Sequence, residues 1–144
     1  MTIQSEVRRV EVDENVVPSH DYADAFEVAW ADADAEEPRQ WVSRGMRGAS
    51  AWVHWVLRRI GVQEWSIVES TCEVVHLEQR TPMMMVSVIG RNLPGKRRMT
   101  TALTYLRPVL GRLVWALIGS QHRRTARRVI TSKAPAAVET AERA

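Results

Sequence analysis

The stretch MMVSVIGRNLPGKRRMTTALTY, residues 84–105, decides the fold. Residues 83–91 and 97–106 read as two strands of period-two alternation, joined by Asn92-Leu93-Pro94-Gly95-Lys96 with Pro94-Gly95 as the turn dipeptide. Pairing Leu93 with Lys96 sets Val88 opposite Thr101, Val86 opposite Leu103 and Met84 opposite Tyr105. One face of the hairpin then holds Met84, Val86, Val88, Met99, Thr101, Leu103 and Tyr105. The other holds Met85, Ser87, Ile89, Thr100, Ala102 and Thr104. The first is the core face. A slip of one residue sets Thr100 and Thr104 opposite the valines, so the register is well specified. Pro-Gly favours a type II turn, which matches hairpin twist poorly, so a longer or bulged loop is expected.

The same period extends upstream. Residues 65–70 and 72–80 read as two more strands meeting at Ser70–Thr71, and Pro82 interrupts before the hairpin. Earlier still, Tyr22, Asp24, Phe26, Val28 and Trp30 alternate on one face, with the aspartate as odd member, which suggests a strand near an edge. Two helices complete the pattern. One starts at Pro38 and carries apolar or small residues at 41, 42, 45, 46, 49, 52, 53, 56, 57 and 60, with Gly61 as its stop. Gly45 and Gly48 each weaken it by roughly 1 kcal/mol, so tertiary packing must hold it. The other starts at Pro108 and repeats apolar residues from Leu110 through Leu113, Val114, Leu117 and Ile118 to Ala126, Val129 and Ile130. Gly119-Ser120 is placed to bend or break it. The fold class that follows is α+β. A curved antiparallel sheet of about five strands packs on a long C-terminal helix, with a second amphipathic helix near residues 38–60. Residues 1–20 read as a flexible arm, or an edge strand at best; 21–131 as one domain; and 132–144 as a disordered tail.

Composition supports one globular domain: 144 residues, 45% hydrophobic and 26% charged. The single cysteine, Cys72, excludes an internal disulfide framework and a Cys-cluster zinc site, and by default is a buried, inert thiol. No secretory leader is visible and no apolar run reaches the ~20 residues a spanning helix needs, so a cytoplasmic protein is expected. No motif calls for a metal or an organic cofactor, and none is expected. Charge is segregated. Residues 1–40 hold eleven acids and three arginines, net −8; the remainder holds seventeen bases and six acids, net +11.

The phrases SIVESTCEVVHLEQRTP, MTTALTYLRP and QHRRTARRVI, in this order of elements, resemble small bacterial members of the START-like superfamily, the polyketide-cyclase or helix-grip group. The likeness covers roughly residues 21–131. It implies a curved sheet gripping the C-terminal helix, with an apolar small molecule or lipid bound between them. Catalysis is the rarer use of that fold. The chain departs from the pattern in its smaller sheet and its single long front helix.

On that reading the ligand-binding residues are Tyr105, Trp115 and His122, with Met84 and Leu103 as apolar walls. His122 lies beside the apolar stripe of the last helix; a polar group aimed into a cavity competes there with a histidine satisfied by backbone. An enzymatic reading needs His122 and Tyr105 to meet. His76 and Glu78 share a strand face and read as a solvated pair; four scattered histidines make no metal site. Six tryptophans read mainly as core filling, with Trp55 and Trp115 on a ligand or partner surface. Arg123, Arg124, Arg127 and Arg128 form a basic surface. They match the acidic front of the chain or are simply solvated, meet an anionic membrane peripherally, or contact nucleic acid, ranked in that order. The alternative function is a structural or interaction protein with a filled core. It would form a homodimer or bind a partner through an edge strand, or through an uncovered face bearing Ser87, Thr100, Ala102 and Thr104.

Overall fold

The computed structural model describes residues 6–15, 19–46, 58–59, 61–62 and 64–133. In chain order the elements are β1 (Arg8–Val10), β2 (Tyr22–Ala29), α1 (Pro38–Met46), β3 (Ser66–Ser70), β4 (Val74–Arg80), β5 (Met84–Leu93), β6 (Lys96–Tyr105) and α2 (Pro108–Ile130). The strands form one open sheet in the order β1-β2-β6-β5-β4-β3, antiparallel throughout. It has six strands, not about five. Arg8–Val10, in the segment read as an arm, pairs with Ala25–Glu27 as the edge strand.

The central hairpin has the predicted register: Leu93 faces Lys96, Val88 faces Thr101, Val86 faces Leu103 and Met84 faces Tyr105. The loop is neither longer nor bulged. Pro94 and Gly95 alone connect the strands, with Gly95 at φ +70°, as the third position of a type II turn requires. Outside help offsets the poor match of twist. Trp30 N–H donates to the Gly95 carbonyl at 2.9 Å, and Gly95 N–H donates to Asp32 Oδ1 at 2.9 Å. The β2–α1 connection thus clamps the turn.

The other two hairpins share one device. Thr71 Oγ1 accepts from the N–H groups of Glu73 and Val74, and Thr81 Oγ1 accepts from those of Met83 and Met84. Each threonine also exchanges a backbone bond with the first residue of the next strand. Cys72 sits in the first of these turns and is exposed, not buried.

Both helices lie on the face of Phe26, Val28, Val75, Leu77, Val88 and Met99. Trp41 and Val42 of α1 and Ala126, Val129 and Ile130 of α2 close that core, all of them fully buried. The helices approach where side chains are absent. A Cβ on Gly45 would lie 2.6 Å from the Val129 Cα, and one on Gly90 would lie 2.6 Å from the Val42 side chain. Gly45 therefore costs helix propensity locally but permits the α1–α2 contact that holds α1. Residues 47–57, where the predicted stripe continues, lie outside the described residues; Gly61 has the expected stop geometry at φ +84°.

α2 runs unbroken through Gly119-Ser120, without the break placed there. Its expected apolar stripe is buried in the second half only. Leu110, Leu113, Leu117 and Ile118 are exposed. The sheet's other face is also covered: Ser87, Ile89, Thr100 and Ala102 are buried, with Val12 packed on Ile89 and Ala102. Only Thr104 of the four residues offered to a partner there is exposed.

A polar network locks the far end of the core. Arg97 lies on the helix-facing side of β6 and is 1% exposed. It donates to the carbonyls of Ile130 at 3.3 Å and Ser132 at 2.7 Å, where α2 ends, and to Glu36 Oε1 at 3.1 Å. Its plane stacks on Trp30, 3.6 Å from the ring centroid. Arg44 pairs with the same Glu36 and also reaches the Ser132 carbonyl. Asn92 bridges Trp41 Nε1 and the Glu36 carbonyl. Burial pushes Arg97 down to about 10, with Glu36 opposing, so it stays charged at neutral pH. On the opposite face, Glu27 is buried among Arg98, Lys96 and Arg8. Two acids of the front segment, Glu27 and Glu36, are thus paired with Arg8, residues 96–98 and Arg44, and among the described residues no arginine of α2 forms an ion pair with that segment.

Replacing Arg97 with Met should cost about 3 kcal/mol, because it leaves Glu36 with Arg44 as its one remaining guanidinium and takes the side-chain donor from the Ile130 carbonyl; a urea midpoint unchanged from wild type would refute the network's role. The Arg44 hydrogen bond holds Glu36 below its ordinary value. For Glu27, burial raises the value, but Arg98 and Lys96 outweigh it and the net shift is also downward. Their stabilisation is complete above the ordinary value of 4.5 and is lost as pH falls through the lower folded values. Urea titrations from pH 6 to 2 should show a steep loss below about 4.5, flattened in the Glu27→Gln/Glu36→Gln variant.

Candidate functional site

Strands β2 and β6 are neighbours, and their register sets Asp24 beside Thr101 and Tyr22 beside Leu103, on the face toward α2. Above them α2 presents Trp115 and His122, seven residues and so two turns apart on one side of the helix. His122 Nε2 is 3.1 Å from Thr101 Oγ1. The Trp115 ring lies between two others, 5.0 Å from Tyr22 and 5.1 Å from His122, both tilted by more than 50°. Tyr22 donates its hydroxyl to Asp24 Oδ2 at 2.8 Å.

Asp24 is 1% exposed, and its second oxygen, Oδ1, accepts no hydrogen bond among the described residues. An unpaired buried carboxylate oxygen is costly and rare in folded proteins. The surrounding groups feel the same burial. Desolvation pushes His122 down, with Arg123 adding to the shift and the Asp24 charge opposing it. Desolvation also pushes Tyr22 up, reinforced by its hydrogen bond to Asp24. At neutral pH the cluster therefore holds a neutral imidazole and a protonated phenol around the Asp24 side chain. Its aromatic rings and unpaired acceptor match the chemistry of a group with an apolar body and an N–H or O–H donor.

Of the residues named from sequence, the structure brings Trp115 and His122 together, with Leu103 fully buried beneath. Tyr105 is elsewhere. Its ring lies against Gly111, eleven residues or about 16 Å along the helix axis from His122. Met84 pairs with Tyr105 and shares that distant end. The His122–Tyr105 pair of the enzymatic reading is therefore not formed. Tyr22, Asp24 and Thr101 were missed; the aspartate breaking an apolar strand face was the available signal.

Other candidates carry less. His76 and Glu78 lie 3.6 Å apart on β4, and no group of metal-binding side chains occurs among the described residues. His54, Trp52 and Trp55 lie outside them. An open cleft of about 360 Å³ lies near β1, between Glu6, Arg8, Glu27 and Lys96, but its buried charge is already paired. Of the basic cluster, Arg124, Arg127 and Arg128 are exposed and Arg123 is half-buried. None of the four forms an ion pair among the described residues.

Comparison with protein-family models, curated proteins and solved structures finds no match.

The lowered His122 value has a definite consequence. Between that value and the ordinary 6.5, the unfolded chain binds a proton that the folded chain refuses. Stability should therefore fall as pH drops below about 6.5, before the carboxylates titrate. In His122→Gln this upper limb should vanish in urea titrations between pH 7 and 5, while the loss below about 4.5 remains.

Proposed function

We propose that this chain is a START-like, non-catalytic binding domain that holds an apolar small molecule or lipid between the sheet and α2. The observation that carries the reading is the unpaired oxygen of buried Asp24, set beside the Tyr22, Trp115 and His122 rings. The order of elements, with a sheet gripping one face of a long last helix, supports it. The ligand's hydroxyl or amine donates to Asp24 Oδ1, and its apolar body lies along Trp115. His122, neutral and bonded to Thr101, positions the ring wall and carries no proton to the ligand.

A second reading, a module that works through its surface, is favoured by exposed apolar residues on the edge strand β3, where Ile67 and Val68 are both about half exposed. Because Ser87, Thr100 and Ala102 are buried, a homodimer on this reading uses that edge and not the sheet face.

A group retained for binding at a cost to folding leaves a recognisable signature. Asp24→Asn should raise stability of the empty protein by about 1–3 kcal/mol, since it replaces a buried acid whose Oδ1 is unpaired with a neutral amide that keeps an acceptor for Tyr22. Protein purified from its own host should show a small-molecule adduct by native mass spectrometry, and Asp24→Asn should lose it. An adduct-free protein, or one whose Asp24→Asn variant is no more stable, would remove the ligand reading. Sedimentation that shows a dimer sensitive to Ile67→Lys would favour the second.

A further inference from the structure

α2 has an outward face that the core does not use. Val109, Leu113 and Leu117 follow at i+4 spacing and are 74%, 58% and 80% exposed. Leu110 and Ile118 flank them, and Leu106 precedes the helix, all at least 40% exposed. At 100° per residue, Leu113, Leu117, Arg124, Arg127 and Arg128 fall within about 60° of one line along the helix. One face is thus apolar for its first three turns and basic for its last two. The helix has five arginines and no acidic residue. Among the described residues none of Arg123, Arg124, Arg127 and Arg128 forms an ion pair, and two buried acids, Glu27 and Glu36, are engaged elsewhere, with Arg8, Lys96 and Arg98 and with Arg44 and Arg97.

We infer that this face docks on an anionic bilayer surface. The apolar turns enter the boundary between headgroups and acyl chains, and the arginines of the last turns rest on lipid phosphates and carboxylates. Charge selects this occupant over a second copy of the chain. In a symmetric antiparallel pair centred on the helix, each apolar half would meet a basic half. In a parallel pair, basic halves would meet. A negatively charged, apolar-cored sheet of lipid complements both halves at once. The contact is peripheral, since no described helix is long and apolar enough to cross a membrane. It is independent of the ligand proposed above, because Asp24 and His122 lie under the opposite side of α2.

The test is flotation of the full chain with vesicles of phosphatidylcholine alone, or with 30% phosphatidylserine. The chain should float with the anionic vesicles only, and less so as salt rises. Arg124→Gln, Arg127→Gln and Arg128→Gln should each weaken binding about fivefold. Leu113→Gln/Leu117→Gln should abolish it, while circular dichroism and the urea midpoint stay at wild-type values, since both side chains are in solvent. Equal flotation with neutral vesicles, or none, overturns the inference. So does a concentration-dependent dimer lost in Leu113→Gln/Leu117→Gln without vesicle binding, which assigns the face to a second copy. Salt-sensitive binding to duplex DNA, lost on neutralising the arginines and unaccompanied by flotation, overturns it as well.

Discussion

The buried guanidinium of Arg97 is the constraint on which the rest of the structure depends. One side chain joins the middle of the sheet, the start of α1 through Glu36, and the last carbonyls of α2. A helix leaves its last carbonyls unpaired and carries a partial negative charge there. Arg97 and Arg44 supply donors and positive charge at that end of α2. The cost is desolvation of a cation, and its Nε has no hydrogen-bond partner among the described residues. Stacking on Trp30 and Trp41 recovers part of that cost. Apolar packing alone tolerates several helix positions on a sheet. A forked donor that must meet two carbonyls and a carboxylate tolerates far fewer.

Much of the sheet was legible in the sequence because its signals are local. The Pro94-Gly95 turn and two alternating runs determine the register of β5 and β6. The threonines before β4 and β5 mark their own turns. What was not legible is long-range. Arg97 sits in the same alternation as Met99, Thr101 and Leu103, so its inward direction could be read. A hydropathy pattern nevertheless treats an arginine as a surface residue unless its partners are known, and Glu36 is 61 positions away. The edge strand at Arg8–Val10 is three residues long and charged, so nothing periodic announces it.

The first half of α2 misled for a different reason. Residues 109–118 are apolar almost all round, so periodicity does not say which side faces the sheet. Gly111 and Gly119 do say so. Both are buried, Gly111 where Tyr105 packs on the helix and Gly119 beneath the side chains of Trp115 and Arg123 from the adjacent turns. Read as interruptions, they hide the buried side; read as points of close approach, they leave Leu113 and Leu117 in solvent. The same logic separates the candidate site. Trp115 and His122 were visible as one helix side, while Tyr22 and Asp24 needed the β2–β6 pairing, which spans some eighty residues of chain. Tyr105 was attached to them because it faces the core, and facing the core does not specify which turn of the helix lies above.

Two features of α2 run against stability, and they occupy opposite sides of it. Underneath, a buried carboxylate keeps one oxygen unpaired. On top, six large apolar side chains in or just before the helix stand in water. Each could be repaired by ordinary substitutions, Asn at position 24 or polar residues at 113 and 117, without disturbing Arg97 or the glycine contacts. A chain that spends a desolvated arginine to position this helix, and then leaves both of its sides imperfect, is not shaped by folding alone. The inner defect asks for a donor small enough to fit beneath a helix. The outer one asks for a surface broad enough to cover three turns. Those demands differ in size and polarity, so one ligand does not satisfy both, and on the two proposals made above α2 is a wall with two separate faces and not the lid of a single pocket.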